Sequence, residues 1–124
     1  ELTAIIDVYN ILKEEIEKGI NVFIYSDSIY AILALAYFCL EDYENVYKCY
    51  RRFKKNLKDK TVTLDNDFIV QGIFLITKWR ETQRNQYLKK IEALFKEPAF
   101  EKLDNPKKQL IEIMNYFKIS VSVN

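Results

Sequence analysis

Histidine does not occur in the 124 residues, and glycine, proline and cysteine occur only twice each. Without an imidazole, the chain lacks the commonest general base and the commonest metal ligand. Few glycines and prolines mean few tight turns, which argues against a strand-rich fold and suits long helices. No apolar run reaches the roughly 18 residues that cross a bilayer. The longest, "IYAILALAYFCL" (29 to 40), closes on Glu41 and Asp42 and reads as a buried helix. Net charge is only +1, so no overall field steers the chain toward polyanions. Cys39 and Cys49 have no metal-type spacing, and both fall on expected helices. A reducing compartment, cytoplasm or nucleus, is the expectation, with one disulfide left open.

What the chain has is apolar residues (49%) and charge (30%), enough for a core and a hydrated surface in one domain. Ile5, Val8, Tyr9, Leu12 and Ile16 recur at helical spacing over 3 to 18, ending at Gly19. Residues 28 to 40 form a helix apolar nearly all round, with Ser26, Asp27 or Ser28 as its cap. A third helix starts near Asp42, with Tyr43, Val46, Tyr47, Tyr50, Phe53 and Leu57 as one stripe. Acids lie at its start and bases at its end, as the helix dipole favours. A polar link over 57 to 67 leads to a fourth helix, about 67 to 80, capped by Asp65 or Asn66. A fifth runs from about 82 to 96 until Pro98 interrupts it. "LDNPKKQ" starts the last, about 106 to 118, with Asp104 or Asn105 as cap and Pro106 in its first turn. The fold expected is all-α, about six helices paired as antiparallel hairpins, in a single domain over 1 to 118. The tail "KISVSVN" alternates like a strand, so 119 to 124 is read as an extended end. The start at Glu1 rather than methionine suggests a fragment of a longer protein.

Catalysis finds little support. Cys39 sits in an apolar helix, where a thiol is inert packing. Cys49 adjoins Lys48 and lies two residues from Arg51, which would lower its pKa, yet a half-exposed structural cysteine is the simpler reading. The pairs Glu14/Glu15 and Glu41/Asp42 are adjacent in sequence and so diverge on a helix. No glycine-rich phosphate loop occurs, and Gly72 lies inside a helical pattern, where it permits close helix packing. The expectation is no enzyme, no cofactor and no metal. Charge is the sharper signal. Residues 48 to 60 hold seven Lys or Arg against one Asp, a local charge of +6 that leaves −5 for the rest. The patch Lys48, Arg51, Arg52, Lys54, Lys55 and Lys58 suits an acidic protein segment or, as the alternative, nucleic acid. Tyr50, Phe53 and Leu57 share the stripe's spacing, which makes them core rather than base-stacking rings.

The segment 30 to 58 resembles one tetratricopeptide (TPR) repeat, a helix-turn-helix unit of about 34 residues. Tyr30, Leu33 and Tyr37 stand at the motif's large first-helix positions, "LEDYE" (40 to 44) looks like its turn, and Tyr50 takes the second-helix aromatic position. Ala34 and Glu41 replace the motif's two glycines, Val46 and Phe53 its small alanines, and Lys58 its closing proline. A second hairpin, 67 to 96, follows at an offset of about 39, with half-a-TPR and other α-solenoid repeats left open. The resemblance implies a small α-solenoid whose first helices line a groove for a peptide or partner helix. The groove positions are then Ala31, Leu35 and Phe38, with Gln71, Phe74, Leu75 and Lys78 opposite. None of Ala31, Leu35 and Phe38 binds a carboxylate, which disfavours the chaperone-tail clamp of some family members and favours an apolar peptide, a partner helix or a neighbouring subunit. The leading expectation is a non-catalytic protein-interaction module within a larger scaffold, regulator or complex, with no membrane partner. The alternatives are a peptide-sensing domain of a bacterial transcription regulator, or nucleic-acid binding through 48 to 60.

Overall fold

The structure, a computed structural model, describes residues 7, 10, 27–59 and 63–121, with 27–30 and 56–59 described by backbone alone. Asp7 and Asn10 are helical and exposed. The rest of the helix expected over 3 to 18, the candidate cap Ser26 and the residues 122 to 124 lie outside the described residues.

The described residues are helical and contain no strand. In chain order they form α1 (Asp27–Cys39), α2 (Tyr43–Asp59), α3 (Leu64–Thr82), α4 (Asn85–Phe95), a 3₁₀ turn (Pro98–Phe100) and α5 (Asp104–Tyr116). The all-α expectation therefore holds for the described residues, with five α-helices where about six were expected, and the bounds of these helices fall within about three residues of those read from periodicity. No described helix is long and apolar enough to cross a membrane.

The helix ends follow from identifiable side chains. Asp42 caps α2: its carboxylate accepts from the Asn45 backbone N–H at 3.4 Å and from Asn45 Nδ2 at 2.6 Å. For α3 the cap is Thr63, which accepts from the Asn66 N–H at 3.4 Å, and not Asp65 or Asn66. Leu103 occupies the cap position of α5 without a side-chain bond, while Asp104 becomes the acid of its first turn. Pro106 also lies in that first turn, where no backbone N–H has an intrahelical partner to lose.

Among the described residues, three helices end on a left-handed residue that is not glycine: Glu41 (φ 58°), Gln83 (φ 56°) and Lys118 (φ 59°). After α1, the Glu41 N–H donates to Phe38 O at 3.0 Å and the Asp42 N–H to Tyr37 O at 2.9 Å. After α5, the Lys118 N–H donates to Asn115 O at 3.1 Å and the Ile119 N–H to Met114 O at 2.8 Å. Both are the paired closing bonds of a Schellman turn.

Helix α3 is the centre of the molecule, packing against each of α1, α2, α4 and α5. Its residues Phe68, Val70, Gly72, Ile73, Ile76 and Thr77 are buried. One apolar cluster joins Leu33, Phe38, Val46, Phe68, Ile73, Ile76, Ile91, Leu94, Phe100, Leu110 and Met114, so every described helix contributes to it. Each such side chain contributes about 1.5–3 kcal/mol by leaving water. Ala31, Phe53 and Val70 form a second, smaller cluster between α1, α2 and α3. The buried Thr77 hydroxyl donates to Ile73 O at 2.7 Å, which spares it an unpaired donor.

The ends of α1, α3 and α5 meet at one pole of the molecule. Arg80 Nη2 lies 4.0 Å from Glu41 Oε1, and Arg80 Nη1 donates to Phe117 O at 3.4 Å. The Phe117 ring sits edge-on to Phe38, 4.8 Å between centroids, with the Arg80 guanidinium 5.7 Å from its centre. The three helices therefore run the same way, and the chain after α5 returns to the end of α1. Ile119 is buried and Val121 packs against the same core, so the described part of the tail lies on its own domain.

Candidate functional site

The sequence-derived groove positions differ in exposure. Phe38 is 2% exposed and held by Phe117 and Tyr43, and Ala31 is 8% exposed in the cluster with Phe53 and Val70. Both point inward. Leu35 is half-buried against the main core. Gln71, Phe74, Leu75 and Lys78 remain partly accessible on α3, with Gln71 Nε2 donating to Asp67 Oδ1 at 2.8 Å.

Phe74 and Lys78 meet α2, not α1. The Phe74 ring stacks on Tyr50, 3.9 Å between centroids and 15° between planes, and lies edge-on to Tyr47 at 5.8 Å. Lys78 Nζ stands 4.3 Å from the Tyr47 ring centre and 5.9 Å from that of Phe74. Lys54 Nζ lies 5.5 Å from the Tyr50 centre. Tyr47 Oη donates to Glu81 Oε1 at 2.8 Å, tying the start of α2 to the end of α3. Burial first, and then this bond to Glu81, raises the Tyr47 pKa well above the ordinary phenol value, with the nearby Tyr87 and Tyr43 adding to the effect. The result is a half-buried ledge of rings edged by ammonium groups, an arrangement in which each cation is attracted to a ring face. It results from three i,i+4 pairs, Tyr47–Arg51 and Tyr50–Lys54 on α2 and Phe74–Lys78 on α3, brought together by antiparallel packing.

The basic patch surrounds one end of that ledge. Arg51, Arg52, Lys54 and Lys55 are exposed, and Lys48 pairs with Glu44 at 3.9 Å along the helix. Lys58 falls in the last turns of α2, where only the backbone is described. Tyr50, Arg51, Lys54 and Lys55 line an open cleft of about 340 Å³.

The cysteines are free and embedded. Cys49 is 7% exposed, not half-exposed, and burial pushes its thiol up to about 12, outweighing the lowering pull of Arg52. Cys39 is half-buried, and its pKa is also raised by burial, with a backbone hydrogen bond acting against it. Neither thiol has the depressed pKa of a reactive nucleophile. Among the described residues, no three His, Cys, Asp or Glu side chains converge as metal ligands would.

Tyr47 and Tyr50 are the members of the ledge that sequence reading left in the buried stripe. The available signal was the pairing of Tyr50 with Lys54 four residues on, which puts a cation over a ring only if the ring stays near the surface. Comparison of the chain with protein-family models, with curated proteins and with solved structures finds no match.

Proposed function

We propose that the chain is a non-catalytic, TPR-like interaction module that binds a segment of another protein across the α2–α3 face. The observation that carries this reading is the Tyr50–Phe74 stack at 3.9 Å, flanked by Tyr47, Lys78 and Lys54. Half-buried aromatics with an apolar body and a polar or cationic rim are the residues that anchor protein interfaces. Their rings are held in place before any partner arrives, which lowers the ordering cost of binding.

The repeat-like reading has its own support. Helices α1, α3 and α5 alternate with α2 and α4 of opposite direction, as first and second helices of successive hairpins do. Glu41 adopts the left-handed conformation at the position where the TPR turn places a glycine. The bulky Val46 and Phe53, standing where that motif has small residues, are both fully buried. An open solenoid has contacts only between neighbouring repeats. Here Phe117 reaches Phe38 across the stack, which favours a short, closed set of hairpins and directs binding to the α2–α3 side.

A random-peptide selection against the whole chain tests the reading. Selected peptides should bind the wild-type protein and lose about tenfold or more in affinity to Lys78→Glu, because reversing a cation beside two rings leaves a carboxylate against their negative faces. Selected peptides that bind Lys78→Glu and Phe74→Ala as tightly as wild type would sink the assignment of this face.

A further inference from the structure

We infer that the cleft lined by Tyr50, Arg51, Lys54 and Lys55 receives an acidic segment of the protein partner; this rests on the interaction-module reading above and gives that partner a chemistry. Arg51 and Lys55 are one helical turn apart, as are Tyr50 and Lys54, so the four side chains make two adjacent rows on α2. The cleft that these four residues line is open and about 340 Å³ in volume. Among the described residues, neither Arg51, Lys54 nor Lys55 has a carboxylate within ion-pair distance, although Lys48 on the same helix does. Three residues with exposed cations and the Tyr50 ring therefore line one open concavity.

Charge complementarity selects the occupant. Residues 48 to 60 carry +6, whereas the rest of the chain carries −5. A short acidic segment meets only the patch. A long polyanion would extend beyond the patch onto a remainder of net charge −5. The Tyr50 ring makes the same distinction. One face of Tyr50 is taken by Phe74 at 3.9 Å, and the Lys54 ammonium stands 5.5 Å from the ring centre over the face that remains. A nucleobase would have to displace one of them to stack. Carboxylates need no ring face, because they pair with the Arg51 fork and the two ammonium groups at the cleft's edge.

The test is fluorescence anisotropy on the whole chain with a short labelled Asp/Glu-rich peptide. Its Asn/Gln counterpart and an oligothymidylate of equal length are the comparison probes. The acidic peptide should bind at least tenfold tighter than the neutral one. Its affinity should fall when salt rises from about 50 to about 300 mM, as the Debye length shortens. Arg51→Gln/Lys54→Gln/Lys55→Gln should lose about tenfold for the acidic peptide, and the exposed single change Lys55→Glu should lose severalfold, each with an unchanged circular dichroism spectrum. Equal binding of acidic and neutral peptides, unaltered affinity in both variants, or tighter binding of the oligothymidylate would each overturn the inference. Peptides selected for the Tyr47–Phe74 ledge separate the two levels: if they bind while the acidic probe does not, only the acidic-segment inference falls. If neither binds, both fall.

Discussion

Gly72 of α3 lies directly beneath Leu110 of α5: a Cβ at position 72 would come 2.5 Å from Leu110 Cδ2, 2.9 Å from Cδ1 and 3.3 Å from Cγ. Leu110 is fully buried, and because its branch point is also close, rotating its methyl groups does not clear the space. Gly72→Ala gains about 1 kcal/mol of helix propensity but meets an overpacking penalty of about 1–3 kcal/mol. We expect a net loss of about 1 kcal/mol in urea unfolding. The pair Gly72→Ala/Leu110→Ala should be less destabilised than the sum of the single changes, because the added methyl occupies part of the space vacated. A single change that raises stability would show that α3 and α5 are farther apart.

The left-handed residues after α1, α3 and α5 are suboptimal for a side chain with a Cβ. Lys118 is exposed at φ 59°, and its N–H already makes the Schellman bond to Asn115. Lys118→Gly should stabilise the protein by about 0.5–1 kcal/mol, the relief of left-handed strain exceeding the added flexibility of the unfolded chain. Lys118→Val should destabilise it. Urea midpoints of the two variants falling on the same side of wild type would contradict this account.

Phe117, just after α5, meets the end of α1. Its ring is edge-on to Phe38, and its carbonyl accepts from Arg80. Because the residue is only partly buried, Phe117→Ala should cost about 2–3 kcal/mol, below the range of a fully enclosed phenylalanine. The comparison is with Tyr116→Ala, a neighbouring residue 67% exposed, which should change stability by less than about 0.5 kcal/mol. Equal effects would argue against a packing role for the Phe117–Phe38 contact.

The thiols and Tyr47 set an alkaline limit. The Cys49 thiol, raised from its ordinary 9.0 to about 12, holds its proton more tightly in the folded than in the unfolded chain. The stability this group contributes is complete below pH 9.0 and is lost as pH rises from there toward about 12. Tyr47 acts in the same direction above its ordinary 10.0. Urea midpoints should therefore decline from about pH 9 upward, and Cys49→Ala should flatten the first part of that decline. At about pH 8, Ellman's reagent should titrate Cys49 only after unfolding and Cys39 more slowly than a free thiol. Immediate reaction of both in the native protein would refute the burial assignment.

Helices were legible because their signals are local. The stripe Tyr43, Val46, Tyr47, Tyr50 and Phe53, the acid at the start of α2 and Pro98 after α4 needed no tertiary information. The helix stops were harder, since Glu41, Gln83 and Lys118 take positions that glycine usually marks. The side chains of the candidate face divided differently. Helix α1 is apolar nearly all round, so its sequence gives no preferred direction, and Ala31 and Phe38 proved to face the interior. Phe74 and Lys78 were recognisable as accessible positions, but their partners on α2 depend on the register between two antiparallel helices. Periodicity within one helix carries no information about that register. Cys49 illustrates the same limit: the cations beside it in sequence suggested a lowered pKa, while three-dimensional burial raises it.

The most direct measurement of the central claim is an amide chemical-shift map of the whole chain titrated with a peptide selected to bind it. The account predicts that the largest shifts cluster at Tyr47, Tyr50, Phe74 and Lys78 and extend to Arg51, Lys54 and Lys55. Shifts concentrated instead on α4 and α5, with α2 and α3 unmoved, would contradict it.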